Sequence, residues 1–246
     1  MTYRPREFWE QRLSEQFDLR GTGEVGLSLS YNRACYRLRR RVLERALREA
    51  GIDPAGRAVL DVGCGTGFFT EYYLQRGARV TGLDMAPTSI ARLGERFPEA
   101  RFILADVSEA ALGERFDIVN AFDVLYHITD DRRWNAALEN LAKAVAVGGV
   151  LLVTDLFSEQ AGAAEHVRMR PIARYREVLE SAGLTIGPAH PTHVLLNREL
   201  GPFRFLNRLP ALLYAVDVVL IESGLARALA ANRLLVAKHS RLSDTA

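Results

Sequence analysis

Val59-Leu60-Asp61-Val62-Gly63-Cys64-Gly65-Thr66-Gly67 is a short apolar run, with one acid near its end, that breaks into three alternate glycines. An apolar run of that length closed by glycine reads as a buried strand entering a turn. Glycine permits the torsions of a tight strand-to-helix turn and lets a ligand lie against the main chain. Outward from this loop, apolar segments at 58–62, 79–83, 101–105, 117–122 and 150–154 alternate with helical stretches at 66–76, 87–97, 132–146 and 172–182. Strands separated by helices of that length imply parallel crossovers, hence a doubly wound α/β sheet.

The flanks differ. Tyr36, Leu38, Val42, Leu43, Ala46 and Leu47 recur mostly three or four residues apart among Arg and Glu, an amphipathic helix over 31–50 that Gly51 stops. Before it lie Phe8, Trp9 and Phe17, then Gly21, Gly23 and Gly26. We therefore divide the chain into an N-terminal helical extension at 1–50 and a main domain at 51–246. The extension is either a lid hinged on those glycines and folded over a ligand through Tyr31, Asn32 and Tyr36, or a helix packed on the sheet with its tyrosines in the core. Extended segments at 184–186 and 193–196 precede an apolar helical insertion at about 202–230 and a last strand at 234–238, which suits an antiparallel edge.

Composition excludes more than it proposes. Nearly half of the 246 residues are apolar, so a substantial core can form. A formal net charge of +2, with both signs interspersed, gives no electrostatic case for a nucleic-acid partner. Two cysteines, Cys35 and Cys64, form neither a disulfide framework nor a zinc site and fit a reducing compartment. The charged segment from Met1 to Arg20 lacks the apolar core of a secretion signal, and the run from Leu209 to Ile221 is interrupted by Asp217 and too short to span a bilayer. The expectation is a cytoplasmic protein with no integral membrane association.

A dinucleotide loop needs glycine or alanine three positions after its second glycine, and that position is Phe68. The run Gly63, Gly65, Gly67 with Asp61 at the strand end resembles motif I of the class I, Rossmann-like S-adenosylmethionine-dependent methyltransferases. The resemblance extends over residues 57–183 in the family's order. It implies a doubly wound, mostly parallel seven-stranded Rossmann-like sheet with an antiparallel C-terminal edge strand and the N-terminal helical extension. It also implies S-adenosyl-L-methionine as cofactor, with S-adenosyl-L-homocysteine as product. Asp61, Gly63, Cys64, Gly65 and Gly67 then hold the methionyl end. Asp84 ends the next strand at the separation where such sheets place a carboxylate against ribose, and Met85 follows it. Asp106 and Val107 correspond to the adenine contacts, and Phe122 and Asp123 pass beside the methionine end. For Asp84 and Asp106 the alternative is a helix cap.

His127 follows the fourth strand near the expected methyl position and is the candidate general base; packing is its other reading. Tyr36, His166, Arg168 and Arg170 are candidate acceptor-binding residues. The three in His166-Val167-Arg168-Met169-Arg170 alternate, so an extended chain presents them on one face, towards acceptor or solvent. Residues 209–221 are a wall for a lipophilic acceptor, a core element or a dimer contact; Asp217 and Glu222 give no basic stripe for a membrane surface. The reading is a methyltransferase acting on a small-molecule acceptor, through oxygen of a sugar-containing, lipid-linked or secondary metabolite. It implies no metal and leaves a homodimer open. The alternatives are a non-catalytic binding subunit of the same fold and an NAD-dependent oxidoreductase.

Overall fold

The computed structural model describes residues 3–158, 164–230 and 232–239. Helices α1 (Pro5–Glu15) and α2 (Leu29–Ala50) precede the alternating part. This runs β1 (Ala58–Val62), α3 (Phe68–Leu74), β2 (Arg79–Asp84), α4 (Pro87–Arg96), β3 (Arg101–Leu104), β4 (Phe116–Phe122), α5 (Asp131–Ala144), β5 (Val145–Leu156) and α6 (Ile172–Ser181). The chain closes with β6 (Leu184–Ile186), β7 (His190–Pro191), a 3-10 helix at Gly201–Arg208, α7 (Pro210–Glu222), α8 (Ala226–Leu229) and β8 (Asn232–His239).

The sheet runs β3-β2-β1-β4-β5-β8-β6, and β7 also pairs with β8. The pairings among β1 to β5 are parallel, whereas β8 is antiparallel to β5, β6 and β7. The sheet therefore has eight strands, one more than expected, because His190–Pro191 adds a two-residue pairing to β8. Residues 193–196 form no strand. The chain leaves β1 towards β2 on one side and pairs with β4 on the other. That reversal opens a crevice at the strands' carboxyl ends, where ligands of such sheets bind.

Strand alternation sorts the core into two layers. Val59, Ile118, Val150, Leu152, Leu234 and Val236 pack on one face against α2, α3 and α7. Leu60, Val119, Leu151, Val153 and Leu235 pack on the other against α5 and α6. Helix α2 begins where Ser28 Oγ accepts from the Tyr31 amide at 3.2 Å and ends at Gly51, whose φ of 71° suits glycine. Tyr31 lies fully buried in this layer, its hydroxyl donating to the Arg198 carbonyl at 3.0 Å. The packed-helix reading of α2 therefore holds for Tyr31 and Asn32, while Tyr36 reaches the crevice.

Candidate active site

The crevice is a cleft enclosing about 970 Å³, part of it open to solvent. The β1–α3 loop forms its floor. Gly63 and Gly65 have φ of 64° and 51°, and a Cβ on either would fall 2.5 Å from Val124 Cγ2 or 2.6 Å from Thr22 Cγ2. The loop is thus a cradle that side chains would fill. Behind it the parallel register sets Asp61 beside Asn120, whose Nδ2 donates to Asp61 Oδ1 at 2.9 Å. Thr70 Oγ1 donates to Asp61 Oδ2 at 2.7 Å, so one carboxylate ties β1, β4 and α3 together. Burial pushes the Asp61 pKa up to about 6 despite these donors.

Asp84 ends β2 beneath the loop. Its Oδ2 accepts from the Gly65 amide at 2.8 Å and its Oδ1 from the Ala86 amide at 2.9 Å. Burial raises its pKa, while backbone donors oppose the rise. It does not cap α4, whose N-cap is Ala86 with no side-chain bond. Leu83, Met85, Ala105 and Val107 supply apolar wall. Asp106, by contrast, is absent from the lining. Its Oδ1 accepts from the Ser108 amide and hydroxyl at 2.8 and 2.5 Å, and its Oδ2 pairs with Arg133 at 2.7 Å. It caps a turn and lines a neighbouring depression that shares Met85, Ala105 and Ile128 with the cleft.

At the other end of the cleft stand Tyr36, Phe68, Phe69, Phe122, Asp123, Val124 and His127. Asp123 has φ 58°, unusual outside glycine but tolerated by aspartate, and its side chain is pinned. Oδ1 accepts from Thr154 Oγ1 and Asn232 Nδ2, each at 3.0 Å, and Oδ2 pairs with Arg39 at 2.6 Å. Arg39 is 4% exposed; burial works against its charge, and Asp123 together with the neighbouring Tyr36, Cys35 and Tyr126 outweighs this. The His127 Nδ1 lies 2.9 Å from the His166 carbonyl. A carbonyl only accepts, so Nδ1 carries the proton and Nε2 is left as the lone-pair nitrogen. Burial lowers the His127 pKa to about 4. Cys64 lines the loop, but burial pushes its thiol far up and makes it a poor nucleophile.

Three expectations change here. Arg168 and Arg170 do share a face, but it is turned to α5: both pair with Asp131, at 2.6 and 2.9 Å. Arg170 also donates to the Ile128 carbonyl and lies over Trp134, so it is structural. His166 is outside the lining too, stacked between His127 and Phe8. Gly21 and Gly23 are not hinges. A Cβ on them would fall 1.9 Å from the Gln16 carbonyl and 2.2 Å from Asn32 Oδ1, so the loop needs glycine for close packing.

Sequence reasoning missed several members of the site. Helix α1 covers the cleft, with Trp9 edge-on to His127 and Pro5 in the lining. Glu10 accepts from the Thr88 amide and hydroxyl at 2.9 and 2.7 Å, fastening α1 to the start of α4. Thr22 accepts from the Tyr36 hydroxyl at 2.8 Å and lies 3.4 Å from Thr66. Asn120 inside an apolar strand and Arg39 on an apolar helix stripe were visible signals; Glu10 and Thr22 carried none.

A switch-point cleft with a glycine cradle and two buried strand-end acids, Asp61 and Asp84, marks a Rossmann-like fold. Residues 59–149 match the family model described as "methyltransferase domain". Magnesium protoporphyrin IX methyltransferase from Synechocystis PCC 6803 superposes with a TM-score of 0.63 over 97% of this chain and 98% of that one, at 17% identity. The 1,6-didemethyltoxoflavin-N1-methyltransferase from Burkholderia thailandensis gives 0.54 over 86% and 78%, at 20% identity. These likenesses speak to the fold. A ubiquinone biosynthesis O-methyltransferase of Stutzerimonas stutzeri (strain A1501) is 40% identical over 99 residues, 37% of this chain and 42% of that protein. The chain thus spans about two fifths of the length of the curated relatives it matches.

Proposed function

We propose that this protein is an S-adenosyl-L-methionine-dependent O-methyltransferase acting on a small, largely apolar hydroxylated acceptor and releasing S-adenosyl-L-homocysteine. The observation that carries the reading is the order of groups along one cleft. A buried carboxylate, Asp84, lies under the Gly65 amide, the Gly63–Gly65 cradle follows, and the cleft continues to Asp123 and His127. The residues fit the cofactor. Asp84 keeps free lone pairs for ribose hydroxyls, Met85, Ala105 and Val107 offer an apolar slot for adenine, and the loop with Asp61 faces the methionyl end. Asp106, turned to Ser108 and Arg133, is better placed to hold the β3–β4 turn than to read a base.

The bound cofactor supplies an already electrophilic methyl group on a sulfonium. What this chain adds is alignment and exclusion of water. Phe68, Phe69, Phe122 and Trp9 form the apolar walls, which suit an aromatic or otherwise apolar acceptor, as do the O-methyltransferase relatives. His127 Nε2 is the acceptor for a hydroxyl proton, Nδ1–H being committed to the His166 carbonyl.

Calorimetric titration with S-adenosylmethionine and transfer of labelled methyl to hydroxylated aromatic acceptors test the reading. Asp84→Ala is expected to weaken cofactor binding about 10- to 100-fold, the worth of hydrogen bonds to a charged group, with the fold retained. No binding to wild-type protein at millimolar cofactor would refute the enzyme; binding with no transfer to any acceptor would leave a binding subunit.

A further inference from the structure

The large apolar side chains exposed to water are not scattered. Among the described residues, all of them apart from Val25, Leu104 and Val147 fall between residues 203 and 229. Phe203 and Phe205 on the 3-10 helix are 61% and 59% exposed. On α7, Leu212, Ala215 and Val219 form an outward stripe at helical spacing, opposite the buried Leu213, Asp217 and Ile221. This segment lies outside the cleft lining, so walling the acceptor pocket is not its role.

The acids that argue against a membrane surface in the sequence do not act at this surface. Asp217 is fully buried, its carboxylate accepting from the Leu195 and Leu196 amides at 2.8 and 2.9 Å. Glu222 is paired with Arg41 at 3.0 Å and Arg45 at 3.9 Å. Arg204 and Arg208 are exposed among the apolar side chains and form no ion pair among the described residues. The patch is therefore apolar with unmatched positive charge. A second copy of the chain would complement it poorly, because a two-fold contact joins the patch to itself and brings both copies' unmatched arginines into one interface. A bilayer surface rich in anionic phospholipid matches both properties, apolar side chains entering the acyl boundary and arginines meeting phosphates.

We propose that the 3-10 helix at Gly201–Arg208 and the outer face of α7 dock this protein peripherally on anionic phospholipid membranes. The docking face is coupled to the cleft. Asp217 holds Leu195 and Leu196, the adjoining Asn197 accepts from Arg39 at 2.9 Å, and Arg39 pairs with Asp123 in the cleft wall.

Co-sedimentation of the full chain with phosphatidylcholine vesicles, with and without about a third phosphatidylglycerol, tests this. Binding is expected to the anionic vesicles and to fall at least about tenfold in Arg204→Glu/Arg208→Glu. It should be lost in Phe203→Ser/Phe205→Ser/Leu212→Ser, with unchanged thermal unfolding of both variants. Asp84→Ala should bind vesicles as wild type does, which separates docking from the cofactor reading. Absence of wild-type binding, equal binding to neutral vesicles, or a dimer in sedimentation velocity that the serine substitutions dissolve would each overturn the proposal.

Discussion

His127 enters the cleft as a neutral imidazole, because burial lowers its pKa to about 4 and its Nδ1–H is held by the His166 carbonyl. His127 is therefore unprotonated across the neutral range, and the general-base role proposed for it would be that of a weak base. His127→Gln should lower kcat about 10- to 100-fold, the low end for a general base, with little change in cofactor affinity. In wild type the acid limb of kcat/KM that belongs to this group should lie near pH 4, not near 6.5. Near-normal turnover of the variant would return His127 to packing. His193 shows the same physics without the chemistry. Buried between Thr192 and the Cys35 carbonyl and near Arg39, its pKa falls to about 3. Its folded pKa lies below its unfolded one, so the folded state binds fewer protons; its contribution to stability is complete above about pH 6.5 and is lost as pH falls towards the folded value. Comparing wild type with His193→Gln isolates this term. The stability difference should shift by on the order of 3 kcal/mol between pH 7 and 4 in urea titrations, wild type losing more. A pH-independent difference would mean that His193 takes up its proton equally readily in the folded and unfolded chain.

Helix α1 is attached by few, identifiable contacts: Glu10 to Thr88, Trp9 to His127, Phe8 to His166, and Arg12 to the Gly23 carbonyl. Only Leu13 of the helix is fully buried, so little apolar burial holds it down. It belongs to the low-stability end of the fold, where opening is local. Glu10→Ala removes two hydrogen bonds at once and should raise hydrogen exchange in α1 roughly tenfold while β1 and β4 keep their protection. Unchanged exchange would mean that the aromatic contacts alone seat the helix. At this scale the alternating strands and helices were legible because each has a periodic pattern, whereas which part of the 1–50 extension lies over the cleft was not. Its sequence records that Phe8 and Trp9 are apolar, but not which surface they meet. The glycines at 21 and 23 misled for a similar reason: a flexible hinge and a site with no room for a Cβ call for the same residue.

Across the whole molecule, the Arg39–Asp123 pair joins α2 to the end of β4, with Thr154 of β5 and Asn232 of β8 on the same carboxylate. Removing one member of a buried pair leaves the other charge uncompensated. Arg39→Met and Asp123→Asn should each cost about 3–5 kcal/mol in urea unfolding, and the double variant less than their sum. Additive losses would mean the two charges are solvated independently. The sequence by itself determined the order of elements, the glycine loop and the placement of Asp61 and Asp84. Strand period and turn chemistry are local, and a strand-end acid is fixed by its position in the chain. Only the tertiary structure decided the rest. It turned Asp106 to Arg133 and both loop arginines to Asp131, brought α1 over the cleft, and buried Asp217 while leaving Arg204 and Arg208 in the open. Which partner a charge meets depends on distances between segments far apart in sequence, and no local pattern encodes those.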